Sequence, residues 1–140
     1  MEIDIHKIDT DGIHLMADFY DCERIGGSEL LSELKTAIAL SGANVIDHLE
    51  YDFHGTGFSA VFLLAESHFS IHIWPDEKYV SLDMYSCGKT YPQRTISYLE
   101  RYFRPSFKTE TTLNRGTRHT THSLFQRLQL LSLPFNQTDS

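Results

Sequence analysis

Three side chains of complementary chemistry lie close together in the middle of this 140-residue chain: the hydroxyl of Ser67, the imidazole of His72 and the thiol of Cys87. A hydroxyl and a thiol are nucleophiles, an imidazole shuttles protons near neutral pH, and a thiol also serves as an acid. The trio therefore points to nucleophilic and acid–base chemistry. Other chemistries are poorly served. Ser67 stands in Glu66-Ser67-His68, not in the G-x-S-x-G elbow of a hydrolase. His54-Gly55-Thr56-Gly57 continues into neither GxGxxG nor a GKS or GKT string, so no phosphate loop is expected. His68 and His72 have the i, i+4 spacing of helical metal ligands, but on a strand they stand about 13 Å apart at roughly 3.3 Å per residue and cannot share one ion. No metal is expected. Cys22 reads as a small apolar core residue.

Strands must position these groups. The apolar run 58–65 reads as a buried strand. Phe69, Ile71 and Ile73 then alternate with His68, Ser70 and His72. Beyond Trp74-Pro75-Asp76, Val80, Leu82 and Met84 alternate with Ser81, Asp83 and Tyr85 up to Cys87. Paired as a hairpin, the two segments point His72 and Cys87 to one face of the sheet. Upstream, Ile13, Leu15, Ala17 and Phe19 alternate with His14, Met16, Asp18 and Tyr20. Ser28 is the expected N-cap of a helix carrying Leu30, Leu31, Leu34, Ala37 and Ile38 on one face, with Gly42 as its stop. Residues 44–53 read as a strand. Pro92 opens a second helix with a stripe of Ile96, Leu99, Tyr102 and Phe103 that ends at Pro105, and 107–113 is a last strand. Strand, helix, four strands, helix, strand suits an α+β two-layer sandwich: a largely antiparallel sheet with both helices on one face. The other face, carrying His14, Tyr20, His72, Asp83 and Tyr85, is either wet or meets a second copy of itself. Residues 117–140, with an apolar patch at 124–135, form a docked helix or a loose segment, and no function is assigned to them.

The length suits one domain with a real core. With 41% hydrophobic and 22% charged residues the composition is that of a soluble globular protein. A net charge of -7 argues against nucleic acid as partner, because phosphate binding needs a basic surface. The opening MEIDIHKIDTDG has no apolar signal region, and no run reaches membrane-spanning length. Two widely separated cysteines suit a reduced, cytoplasmic setting.

The string LLAESHFSIHIWPD, followed by DMYSCG, resembles the signature of the prokaryotic S-adenosylmethionine decarboxylases, small enzymes that make their own pyruvoyl cofactor. The resemblance runs over residues 12–116 and is densest over 53–88. It implies a sheet backed by helices on one side and dimers formed through the open face. It also implies self-cleavage between Glu66 and Ser67, giving chains 1–66 and 67–140. Ser67 would attack the carbonyl of Glu66 to make an ester, Ser59 would assist that shift, and His72 would take the α-proton in the elimination that follows. The pyruvoyl group derived from Ser67 would form a Schiff base with the substrate amine, and Cys87 would protonate the α-carbon after CO₂ leaves. Phe53 would stack on adenine. Asp76, one methylene shorter than the family's usual Glu, would hold the ribose hydroxyls. Ile73 and Ser86 replace two usual threonines. The implied product is the aminopropyl donor of spermidine synthesis. Two alternatives are a pyruvoyl-dependent ornithine or arginine decarboxylase of the same family, and an unprocessed, non-catalytic partner subunit.

Overall fold

A computed structural model describes residues 10–116; the segment 117–140 lies outside the described residues. The elements follow in the expected order: β1 (Gly12–Tyr20), α1 (Leu30–Leu40), β2 (Val45–Asp52), β3 (Phe58–Leu64), β4 (Ser67–Trp74), β5 (Tyr79–Cys87), α2 (Pro92–Phe103) and β6 (Phe107–Arg115). The strands form one antiparallel sheet in the order β2-β3-β4-β5-β1-β6. Neighbours in sequence pair from β2 to β5. β1 then inserts between β5 and β6, with Leu15 opposite Met84 on one side and Thr112 on the other.

The period-2 pattern decides which face the helices cover. Leu15, Ala17 and Phe19 of β1, Phe69, Ile71 and Ile73 of β4, and Val80, Leu82 and Met84 of β5 are buried, while the residues between them remain partly accessible. Against this face pack Leu34, Ala37 and Ile38 of α1 with Ile96, Leu99 and Phe103 of α2. The sandwich is thus two layers, helices over one side of the sheet, as the patterning implies.

Two local expectations need correction. Ser28 is not the N-cap of α1. Glu29 takes that position with no side-chain cap bond, after a turn closed by the Leu30 N–H on the Gly27 carbonyl at 3.1 Å, and its carboxylate accepts the Tyr102 hydroxyl of α2 at 2.8 Å. Contact with α2 outweighs the local capping preference. Nor is 58–65 a strand buried on both sides. Ala60, Phe62 and Leu64 face the core, whereas Val61 and Leu63 are 49% and 53% exposed. With helices on one face only, alternate residues of any strand face away from them, apolar or not. Gly42 does end α1, at φ 85 with its N–H on the Ala39 carbonyl, and Pro92 does open α2, which ends at Arg104 (φ 50) just before Pro105.

The helices are tied together by Thr95, whose buried hydroxyl donates to the Ala37 carbonyl at 2.8 Å. That carbonyl lies in the last turn of α1, where the Ser41 N–H bonds Ile38 instead, so Thr95 supplies a partner the helix does not. Thr95→Val keeps the shape and removes the donor. It is expected to destabilise the protein by about 1–3 kcal/mol, the cost of a buried acceptor left unpaired. An unchanged urea midpoint would show that this bond contributes nothing.

Candidate active site

Leu64 and Ser67 face each other across the β3–β4 hairpin, so Ala65 and Glu66 form its turn. On the other side of β4, Ser67 pairs with Ser86 of β5, which brings Glu66 level with Cys87. The Glu66 carbonyl there accepts two donors from one residue, the Cys87 N–H at 3.1 Å and the Cys87 thiol at 3.1 Å. Two donors on one carbonyl oxygen polarise the C=O bond and stabilise negative charge developing on it, the arrangement of an oxyanion hole. The next residue, Ser67, has φ 149, a conformation that costs a non-glycine residue on the order of 1–3 kcal/mol. The polarised carbonyl and the hydroxyl that follows it thus share a strained peptide.

The turn is held from the opposite side as well. Asn44, just before β2, donates its backbone N–H to Glu66 Oε2 at 3.0 Å and its Nδ2 to Glu66 Oε1 at 2.9 Å, and its carbonyl accepts the Ala65 N–H at 2.9 Å. Nothing in the spacing of the sequence singles out Asn44. Its role depends on the β2–β3 register, which brings residue 45 opposite residue 64.

The other sequence-assigned groups gather at the far end of the same strand. Ser59 pairs with His72 in the β3–β4 register, and Ser59 Oγ lies 2.8 Å from His72 Nδ1. With Nδ1–H donating to Ser59, Nε2 is left with a lone pair that can take a proton. Both side chains line a cavity of about 420 Å³ with Phe53, Phe58 and Trp74. Asp76 sits in the exposed turn after β4 and is not among the lining residues. His72 and Cys87 do share the sheet face away from the helices, since both interrupt runs of buried neighbours. They are nevertheless remote: five residues of extended strand separate Ser67 from His72, roughly 16 Å. One chain therefore brings together Glu66, Ser67 and Cys87, and separately Ser59, His72 and Phe53.

Between the two ends lies a polar cluster. The Asp83 carboxylate accepts bonds from His14 Nε2 at 2.7 Å, His68 Nε2 at 3.1 Å and the Ser70 hydroxyl. Burial alone would raise the Asp83 pKa; the Ser70 hydroxyl and the two imidazoles outweigh it and hold the carboxyl below its ordinary value. The alternation placed His14 and Asp83 on this face, but their meeting depends on the β1–β5 pairing, a non-local contact. The ligand atoms of His14, His68 and Asp83 lie within 4.8 Å of one another, close enough for one ion. The hydrogen bonding fits a protein-only network better: Arg115 Nη1 donates to His14 Nδ1 at 3.3 Å, leaving the proton on the Nε2 that faces Asp83. A metal-bound imidazole has the reverse arrangement, donating its second N–H outward. Cys22 stands apart. It is buried, and burial together with the neighbouring Asp21 carboxylate pushes its thiol up to about 11, which keeps it protonated and inert.

Residues 13–116 match the family model of S-adenosylmethionine decarboxylase. An S-adenosylmethionine decarboxylase proenzyme from Thermococcus gammatolerans is 32% identical over 114 residues, covering 79% of this chain and 80% of that protein. One from Picrophilus torridus is 34% identical over 110 residues, covering 76% and 85%. The crystal structure of the adenosylmethionine decarboxylase from Aquifex aeolicus superposes with a TM-score of 0.69 at 30% identity, over 81% of this chain and 97% of that one. Taken with the matched span, which holds both halves of the site, these likenesses show that the chain belongs to the S-adenosylmethionine decarboxylase family.

Proposed function

We propose that the chain is a proenzyme that cuts itself between Glu66 and Ser67 and then, as a carboxy-lyase, decarboxylates S-adenosylmethionine, giving the aminopropyl donor used in polyamine synthesis. The observation that carries this reading is the Glu66 carbonyl, bonded to both donors of Cys87 and followed by a serine at φ 149. Ser67 Oγ adds to the Glu66 carbonyl carbon, the Glu66–Ser67 C–N bond breaks, and the hydroxyl proton passes to the freed nitrogen, so the amide becomes an ester. His72 Nε2 then takes the Ser67 α-proton. The electron pair forms a Cα–Cβ double bond as Cβ–Oγ breaks, releasing Glu66 as a carboxylate. Water replaces the nitrogen of the unsaturated end, ammonia leaves, and residues 67–140 begin with a pyruvoyl group.

The residues fit such a group: the serine that would become it lies at the start of β4, beside the Cys87 thiol. The pyruvoyl carbonyl supplies a sink for the electron pair left when CO₂ departs. Cys87 holds the proton that returns to the substrate α-carbon, Phe53 stacks on adenine in its cavity, and Asp76, in the exposed turn after β4, is the carboxylate for the ribose hydroxyls. The relatives described above are named for S-adenosylmethionine, which does not favour ornithine or arginine. Two free cysteines support a reducing, cytoplasmic setting, and no helix among the described residues is long and apolar enough to cross a membrane.

The 16 Å gap is closed by a second copy. Two sheets packed open face to open face, with their β4 strands running in opposite directions, put Glu66, Ser67 and Cys87 of one chain over Ser59, His72 and Phe53 of the other. Two equivalent sites result. Leu49, Val61 and Leu63, exposed on that face, supply apolar surface for the contact.

Differently tagged Ser67→Ala and His72→Ala chains, each alone, are expected to stay uncut on a denaturing gel. Co-expressed, they form mixed pairs with one complete site, and the His72→Ala chain is cut. A His72→Ala chain that remains whole beside its partner would refute the shared site; wild-type fragments from Ser67→Ala would refute the cleavage position.

Cys87→Ala keeps the backbone N–H on the Glu66 carbonyl, so cleavage should persist at a reduced rate. CO₂ release from labelled S-adenosylmethionine should fall by roughly two powers of ten or more, the usual cost of losing a general acid. Undiminished turnover would remove Cys87 from the chemistry. Phe53→Ala should lower kcat/KM for S-adenosylmethionine by roughly ten- to a hundredfold, judged from base–aromatic stacking, and leave cleavage nearly unchanged. Release of CO₂ from ornithine or arginine with none from S-adenosylmethionine would reassign the substrate.

A further inference from the structure

Cleavage at residue 66 requires that its carbonyl carbon stay where Ser67 Oγ can reach it while the peptide is strained. One side of that carbonyl is fixed by Cys87. The other restraint comes from outside the hairpin: three hydrogen bonds of 2.9–3.0 Å join Asn44 to Ala65 and Glu66, and two of them end on the Glu66 carboxylate. We propose that Asn44 is a positioning residue for self-cleavage, clamping the Glu66 side chain so that the scissile carbonyl stays against Cys87.

The argument rests on what else could hold Glu66. It lies in a hairpin turn, where the strand ladder no longer constrains the backbone, and no other side chain bonds its carboxylate among the described residues. The Ala65 N–H, fixed on the Asn44 carbonyl, anchors the Leu64–Ala65 peptide at the start of the turn, and the carboxylate bonds set the Glu66 side chain. With the carbonyl on Cys87, the Glu66 side chain and its carbonyl are then both held. Releasing the carboxylate lets the turn relax toward an ordinary hairpin, with Ser67 out of its strained conformation and its hydroxyl turned from the carbonyl. The amide of Asn44 suits this task because it donates to a carboxylate; an aspartate there would repel it.

This inference rests on the cleavage reading above, and the test separates the two. In cell-free translation the chain appears uncut, and its cleavage can be followed on a gel with time. Asn44→Ala, which keeps the backbone bonds, should slow cleavage roughly tenfold, the order expected for one hydrogen bond to a charged group. Asn44→Asp should be slower at neutral pH. Its rate relative to wild type should recover as the pH falls through the carboxylate range, where one of the facing acids takes a proton. Adding Glu66→Gln to Asn44→Asp restores a donor–acceptor pair and should bring the rate to within a few-fold of wild type. Thermal unfolding of each substitution in the Ser67→Ala background checks that the fold is kept. Asn44→Asp cleaving at the wild-type rate, or a slowing that neither low pH nor Glu66→Gln relieves, would overturn the clamp. A wild-type chain that never cleaves would overturn the proenzyme reading, and the clamp with it.

Discussion

The bond from the Cys87 N–H to the Glu66 carbonyl is the contact on which the site depends, and it exists only in one β4–β5 register. That register is held by the core. Phe69, Ile71 and Ile73 must meet Met84, Leu82 and Val80 on the helix-covered face. A slip of one residue would send one of these sets to the open face, exposing three buried side chains at about 1.5–3 kcal/mol each. Burial on one side of the sheet thereby fixes polar geometry at its end. The thiol adds to this because Cys87 follows the same alternation and lies beyond the last core residue of its strand.

The open face divides along its length. Asp83, receiving donors from β1 and from two positions on β4, stiffens the middle, where the two ends of the site would otherwise be joined only by extended backbone. Toward β2 and β3 the same face becomes apolar, with Leu49 78% exposed and Val61 and Leu63 half-exposed. A chain that carries the Cys87 thiol and the His72 imidazole at opposite ends of one face keeps neither in reach of the other. That separation is the physical basis for reading the functional unit as a pair of chains.

Much of the fold was legible because alternation and capping are local signals. The parity of His72 and Cys87 follows from Ile71, Ile73, Leu82 and Met84 alone, and Gly42 and Pro92 mark helix ends by backbone chemistry that context rarely overrides. Most of the failures trace to non-local contacts. Ser28 lost the N-cap position because Tyr102, over seventy residues away, engages Glu29. Val61 and Leu63 looked like core because their strand is almost uniformly apolar, so its own pattern does not mark which side faces the helices. The Asn44 clamp and the His14–Asp83 bond come from pairings of β2 with β3 and of β1 with β5 that no spacing along the chain reveals. The distance between Ser67 and His72 was in principle readable from strand rise, yet closeness in sequence suggested closeness in space.

The place of β1 in the sheet has a consequence for a chain severed after Glu66. Residues up to 66 carry β1, β2 and β3; the remainder carries β4, β5 and β6. In the order β2-β3-β4-β5-β1-β6, the first piece would sit at one edge and again between two strands of the second. To part them, the ladders β3–β4, β5–β1 and β1–β6 must all open, together with the α1–α2 contact. The two pieces are interleaved like the fingers of clasped hands. Such a cut removes a covalent bond without creating two molecules, and the halves, made separately, would have to thread this weave from the outside to recover it.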